Sequence, residues 1–129
     1  MTVYVAQEVT DRGGNLIHDL SPATRWGELE FLMPSGPVAL NPQPMVMELR
    51  HKLRNYSDVD LLLAIGDPAV IGAAVAIAAE VNRGRVRVLR WDKRAGPVRK
   101  EWHARMGQYV ERQRGDYVEV PMNLRGQQV

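Results

Sequence analysis

The sequence predicts an α/β fold: one domain over residues 1–129, built on a mixed sheet of about five strands with a central parallel β-α-β unit and about three helices. Three consecutive stretches carry that reading. Leu61 to Ile65 is a short, wholly apolar run, as expected of a strand covered on both faces, and Gly66-Asp67-Pro68 then ends it and opens a helix. Val70, Ile71, Ala74, Val75, Ala78 and Val81 recur at helical spacing, with Ala73, Ala76 and Ala79 permitting close approach to a sheet, until Gly84 stops the pattern. Arg85 to Trp91 alternates, Val86 and Val88 facing one way and Arg85 and Arg87 the other. Asp67 suits the N-cap and Pro68 the first helical position, where its missing N–H costs nothing. A crossover of this kind joins neighbouring parallel strands with a right-handed turn.

The remaining elements follow from the same two periods. Val3, Val5, Gln7 and Val9 alternate with Tyr4, Ala6 and Glu8, which makes a half-buried first strand. Asp11 to Asn15 is a hairpin-type turn that lets Leu16 to Leu20 pair back on that strand, and Ser21-Pro22-Ala23-Thr24 is a short capped turn. Glu28 to Met33 alternates again, with Leu29, Phe31 and Met33 on one face. Four prolines make residues 34–44 an ordered loop, after which Asn41-Pro42 caps a helix whose inner face is Val46, Leu49, Leu53 and Tyr56. Arg50, His51, Lys52 and Arg54 lie near its C-terminal end, where the helix dipole favours cations. Val98 to Arg114 reads as a third helix, with Trp102, Met106, Tyr109 and Val110 on one face and Gly107 weakening it. Tyr117 to Val120 reads as a short strand that Pro121 confines to an edge, and residues 125–129 as a frayed end.

Composition narrows the function classes. With no cysteine, the chain has no disulfide framework, thiolate metal site or Cys nucleophile, and it suits a reducing cytoplasm. Its longest apolar stretch, Ala69 to Ala79, falls well short of the roughly 20 residues a bilayer requires, and the alternating N-terminus does not resemble a signal peptide. The net charge of +2 hides an asymmetry: residues 1–80 hold 5 Lys/Arg against 10 Asp/Glu, and residues 81–129 hold 12 against 5. Opposite charge on the two halves points to a polar partner surface or to two faces of opposite sign.

No catalytic set emerges. The serines at positions 21, 35 and 57 lie beside turn residues and outside any Gly-x-Ser-x-Gly elbow. The histidines at 18, 51 and 103 are scattered, without metal-ligand spacing. Asp58 and Asp60 are separated from Asp67 by a strand, too far for one hard cation. No residue pattern calls for a cofactor or a metal. Two binding features remain. Gly66-Asp67 opens a helix at the carboxyl end of a strand, where an anion or nucleotide could sit, although the Rossmann fingerprint is absent and Asp67 doubles as a cap. Arg83, Arg85, Arg87, Arg90, Lys93 and Arg94 form a cationic run beside Trp91, a combination that grips phosphates and stacks on bases.

The segment DLLLAIGDPAVIGAAVAIAAEVNRGRVRVLRWDK, with DLSPATRWGELEFLMPSGPVAL upstream, resembles short uncharacterised proteins of tailed bacteriophages. These likewise carry a hydrophobic strand, Gly-Asp-Pro, an alanine-rich helix and an Arg/Lys-Trp-Asp ending. The likeness covers most of residues 2–93, and the tail from Ala95 onward is particular to this chain. It implies a phage product acting in the cytoplasm of an infected bacterium and brings no catalytic residue. The expected function is therefore that of a phage accessory protein, not an enzyme, which binds a host or phage protein or a nucleic acid. The alternative is a small nucleotide- or anion-binding enzyme that uses the Gly66-Asp67-Pro68 turn.

Overall fold

In the computed structural model, which describes residues 1–126, five strands form one mixed sheet. They are β1 (Thr2–Gln7), β2 (Glu28–Met33), β3 (Leu61–Leu63), β4 (Arg85–Asp92) and β7 (Asp116–Asn123), in the order β2-β1-β3-β4-β7. The first four run parallel, and β7 is antiparallel to β4 along its whole length. Helix α1 (Gln43–Lys52) connects β2 to β3, and α2 (Pro68–Val81) connects β3 to β4. A single 3-10 turn at Ser21–Trp26 connects β1 to β2. The chain steps one way from β1 to β2 and the other way from β2 through β3 to β4. Connections of one hand must then lie on opposite faces. They do: α1 and α2 bury Leu49, Leu53, Ala74 and Ile77 against Tyr4, Leu62 and Val86 on one face, while Ala23 of the 3-10 turn packs with Val3, Val5 and Leu89 on the other.

The central unit forms as its sequence dictates. Asp67 is the N-cap of α2 and its carboxylate accepts the Ala69 N–H at 2.8 Å, with Pro68 following at the first helical position. The buried stripe is Val70, Ala74, Ile77 and Ala78, so Ile77 is inside and Val81 is largely exposed, a rotation from the expected face. Leu61, Leu62 and Leu63 are fully buried, and the alternation of β4 sends Val86 and Val88 to the helix side and Leu89 to the other. Asn41 accepts the Gln43 N–H at 3.2 Å, so α1 starts one residue after its expected proline, and it ends at Lys52 while Leu53 and Tyr56 still reach the core.

Both edges of the sheet are guarded. On β2 the Lys52 ammonium donates to the outward Leu32 carbonyl at 2.8 Å, and on β7 Pro121 removes a donor. Leu29 and Phe31 of β2 share a face as expected, but Met33 packs on the other, beside the fully buried Leu32. The strand expected at residues 16–20 reduces to one bridge, Thr10 to Leu16, because Asp19 accepts the Ser21 N–H and turns the chain into the 3-10 helix. Of the frayed end expected at residues 125–129, residues 127–129 lie outside the described part, and Arg125 and Gly126 donate their N–H groups back to Asn123.

One expectation fails outright. Residues 98–114 are not a helix but a hairpin of β5 (Val98–His103) and β6 (Gln108–Gln113), separate from the main sheet. His103 starts the reversal, accepting the Met106 N–H on Nδ1 and the Gly107 N–H on its carbonyl, and Gly107 takes φ 63°, a value that glycine adopts without strain. Trp102 and Tyr109, seven residues apart, mimic a helical stripe. They are in fact cross-strand partners with ring centroids 5.2 Å apart. The third helical segment is therefore the 3-10 turn, and the α/β class with its five-stranded mixed sheet stands.

Candidate functional site

The order β2-β1-β3-β4 reverses direction at β1 and β3, and ligands of open α/β sheets gather outside the carboxyl ends of strands at such a point. In this chain Gln7 fills it. At the end of β1 its side-chain amide donates to the carbonyls of Pro34 at 3.1 Å and Gly36 at 2.7 Å, and its oxygen accepts the Asp67 N–H at 2.7 Å. Gly66 turns at φ 119° directly beneath it, and a Cβ there would collide with the Gln7 side chain. Two amides that could hold an anion at this turn are thus used, the Asp67 N–H by Gln7 and the Ala69 N–H by the Asp67 cap.

Beside this plug, over the ends of β3 and β4 and the start of β7, lies a cleft of about 540 Å³ lined by Ile17, Ile65, Gly66, Arg90, Trp91 and Tyr117. Such a volume falls within the range of about 300–1,000 Å³ typical of small-molecule sites. Trp91 is 44% exposed and packs edge-on against Tyr117 at 5.0 Å, with its indole too close to Gly115 for any side chain there. Tyr117 donates its hydroxyl to the Asp19 carbonyl, and burial raises its pKa. The Asp19 carboxylate, also in the wall, is engaged by the Ser21 hydroxyl and N–H, which hold its pKa low.

The cationic run of the sequence is divided by the structure. Arg85 makes two bonds to Asp58, of 2.9 and 3.1 Å, and Arg87 two to Glu119, of 2.7 and 3.2 Å. Hydrogen bonds from Asn82 and Arg85 lower the pKa of Asp58, and that from Arg87 lowers the pKa of Glu119. Arg83 sits before β4 at φ 59°, whereas Lys93 and Arg94 follow its far end, about 23 Å away at roughly 3.3 Å per residue. The run thus splits into two groups, Arg83, Arg85 and Arg87 about Asp58 at one end of β4 and Arg90, Trp91, Lys93 and Arg94 at the other. There a single carboxylate, Asp92, serves both Arg90 at 3.6 Å and Arg94 at 3.5 Å, its pKa lowered by the Arg94 N–H. Asp58, Asp60 and Asp67 each have a separate structural partner, Asp60 accepting the N–H groups of Thr2 and Ser57. No group of three or more His, Asp or Glu among the described residues is placed to hold a metal ion.

A feature the sequence reading missed rises from the same end of the molecule. The β5–β6 hairpin is an arm rooted between Gly96 and Gly115, and none of its side chains belongs to either core cluster. Trp102 is 59% and Tyr109 67% exposed, and Met106 at the turn is exposed with them. Residues 93–114 hold 7 Lys/Arg and 2 Asp/Glu, net +5, which leaves −3 for the rest of the chain. Arg99 and Arg112 stand directly opposite each other across the ribbon. Among the described residues, only Arg112 of the hairpin's cations reaches a carboxylate, Glu101 at a loose 3.9 Å. The missed signal was alternation at period two, Arg99, Glu101 and His103 against Val98, Lys100 and Trp102.

A family model described as Phage Pam3 gp32-like protein matches residues 1–101. The chain belongs to that family. Comparison with curated proteins and with solved structures finds no match. The resemblance to phage proteins expected over residues 2–93 is thus sound, and the match to the Pam3 gp32-like family spans the sheet as far as β4 and ends within β5. The tip of the arm, β6 and β7 lie beyond the matched residues. No helix among the described residues is long and apolar enough to cross a membrane.

Proposed function

We propose that this member of the Pam3 gp32-like phage family is a non-enzymatic accessory protein that binds nucleic acid through its β5–β6 arm. The observation that carries the reading is the combination on one ribbon, residues 97–114 with 5 Lys/Arg against 2 Asp/Glu, of net positive charge with an exposed Trp102–Tyr109 pair. A two-stranded hairpin is marginally stable by itself, and like charges directly opposite weaken it further, so Arg99 and Arg112 cost the free protein stability. A phosphate between them turns that repulsion into two attractive contacts. Aromatic faces next to cations stack on unpaired bases, and a two-stranded ribbon also fits the duplex major groove. Lys93 and Arg94 extend the positive surface down to the arm's root.

Labelled single- and double-stranded DNA and RNA, titrated in fluorescence anisotropy, test the reading. Affinity is expected to fall steeply between about 50 and about 200 mM salt, because each neutralised phosphate releases counterions. Trp102→Ala with Tyr109→Ala should weaken single-strand binding by about 1–3 kcal/mol per stacked base. Absence of any complex at low salt removes nucleic acid and leaves a protein partner for the same arm.

A further inference from the structure

We propose that the cleft over the carboxyl ends of β3 and β4 is a second binding site, one that takes a single nucleotide unit: an aromatic base together with its phosphate. The ligand chemistry follows from the wall. Ile17, Ile65 and the face of Trp91 offer apolar surface for a flat ring, and Trp91 is held on edge by Tyr117 and Gly115, so the ring is presented rather than loose. An aromatic face this exposed, in a protein that buries Tyr117 and Tyr56, is unfilled stacking surface.

The phosphate end is fixed by charge. Arg90 lines the cleft, and Arg90 and Arg94 share the one carboxylate of Asp92, so one positive charge there lacks a counterion, with Lys93 adjacent. Asp19, the acidic residue of the wall, has one carboxylate oxygen bonded by Ser21 and keeps its charge, so the phosphate is placed at the Arg90 side of the cleft. The Asp67 and Ala69 amides do not take part, because Gln7 occupies the first and the Asp67 cap the second. This separates the site from a helix-terminus anion hole: stacking and a guanidinium hold the ligand, not backbone N–H groups.

The cleft opens at the root of the arm, Trp91 touching Gly115 at the arm's exit. The nucleotide unit could thus be free or could be an unpaired residue of a strand held by the arm. The second source rests on the nucleic-acid reading of the arm. The first does not.

The test follows the Trp91 indole N–H by NMR, assigned from its disappearance in Trp91→Phe, while the intact protein is titrated with nucleoside 5′-monophosphates, with nucleosides, with inorganic phosphate and with a single-stranded oligonucleotide. The proposal expects the Trp91 signal to move with nucleoside monophosphate and only weakly with nucleoside or phosphate alone. Arg90→Gln should then raise the nucleotide Kd about tenfold, the scale of one lost charge-assisted hydrogen bond, and leave the weak nucleoside response unchanged. A shift with the oligonucleotide but not the mononucleotide also supports the site and assigns it to a strand. A Trp91 signal that ignores both overturns it, as does one that follows phosphate alone. If oligonucleotides bind and shift only Trp102, the arm stands and the cleft falls. If mononucleotide shifts Trp91 and no oligonucleotide binds, the cleft stands and the arm falls.

Discussion

The sheet and the arm use the same residue types to opposite ends. On β4, Arg85 and Arg87 are tied by paired hydrogen bonds to Asp58 and Glu119, so their charge is spent on joining strand to loop and strand to strand. On the arm, Arg99 faces Arg112, and on the ribbon's other face the Trp102–Tyr109 pair packs on itself in the open. The difference is one of partners rather than composition. A cation with a carboxylate across the ladder adds stability, and a cation directly facing another subtracts it unless an anion lies between them. Only the β5–β6 ribbon of this molecule has the second arrangement together with exposed aromatics among the described residues.

The sharpest way to break that contrast is to compare truncations. Leu62→Ala, at a fully buried position between the two layers, should destabilise the protein by about 2–5 kcal/mol in urea unfolding. Trp102→Ala removes a larger side chain, yet should stay within about 0.5 kcal/mol of the parent, as surface positions do. Comparable losses from both would mean the arm packs on the body.

Next in size is the plug. Gln7→Leu keeps the bulk at the end of β1 but strands the Asp67 N–H and the carbonyls of Pro34 and Gly36, so a cost of about 1–3 kcal/mol is expected in the same measurement. The variant also frees an amide at the start of α2. A loss much below that range would place Gln7 outside the network that locks this turn.

These two regions also mark where the sequence was legible. Residues 61–92 were read nearly to the residue, because a both-sides-buried strand, an Asp-Pro cap and a period-two strand leave little choice of structure. Residues 98–114 were misread because few apolar side chains sit there, and Trp102 with Tyr109 satisfies a helical stripe and a cross-strand pair equally well. Gly107 decides between them. A helix with it pays a propensity penalty, whereas a reversal uses its φ of 63°. The cationic run was legible as charge and illegible as a patch, since the carboxylates that neutralise Arg85 and Arg87 come from residues 27 and 32 positions away. Gln7 looked like one more strand residue, because nothing local announces that it will meet Asp67, 60 positions on.

Acid should act on the body before the arm. Asp58, Asp116 and Glu119 have folded pKa values below their ordinary ones, chiefly through bonds from Asn82 and Arg85, from Arg25, and from Arg87. A lowered folded pKa means a contribution fully present above the unfolded value, about 3.9 for Asp and 4.3 for Glu, and lost as pH falls through the folded one. Thermal unfolding followed from neutral pH downward should therefore show Tm holding until about pH 4–5 and then falling. Arg87→Gln should flatten the part due to Glu119, and Trp102→Ala should leave the profile unchanged.

The smallest expected effect is the most discriminating, because its sign differs between two measurements. Arg99→Glu replaces a like-charge pair directly across the ribbon by an opposite-charge pair with Arg112, which is worth roughly 0.2–1 kcal/mol to a two-stranded sheet. Backbone amide exchange within residues 98–113 should slow accordingly, since a ribbon without a core opens at little cost and reports even small gains. The same change removes two positive charges' worth of attraction for a phosphate lying between the strands, so nucleic-acid affinity and its salt dependence should both decrease. A protected ribbon that also binds more weakly is the outcome expected if Arg99 and Arg112 are held apart for an anion. Should exchange slow while binding stays the same, the repulsion has no ligand to answer it, and the arm's partner must be met by Trp102 and Tyr109 instead.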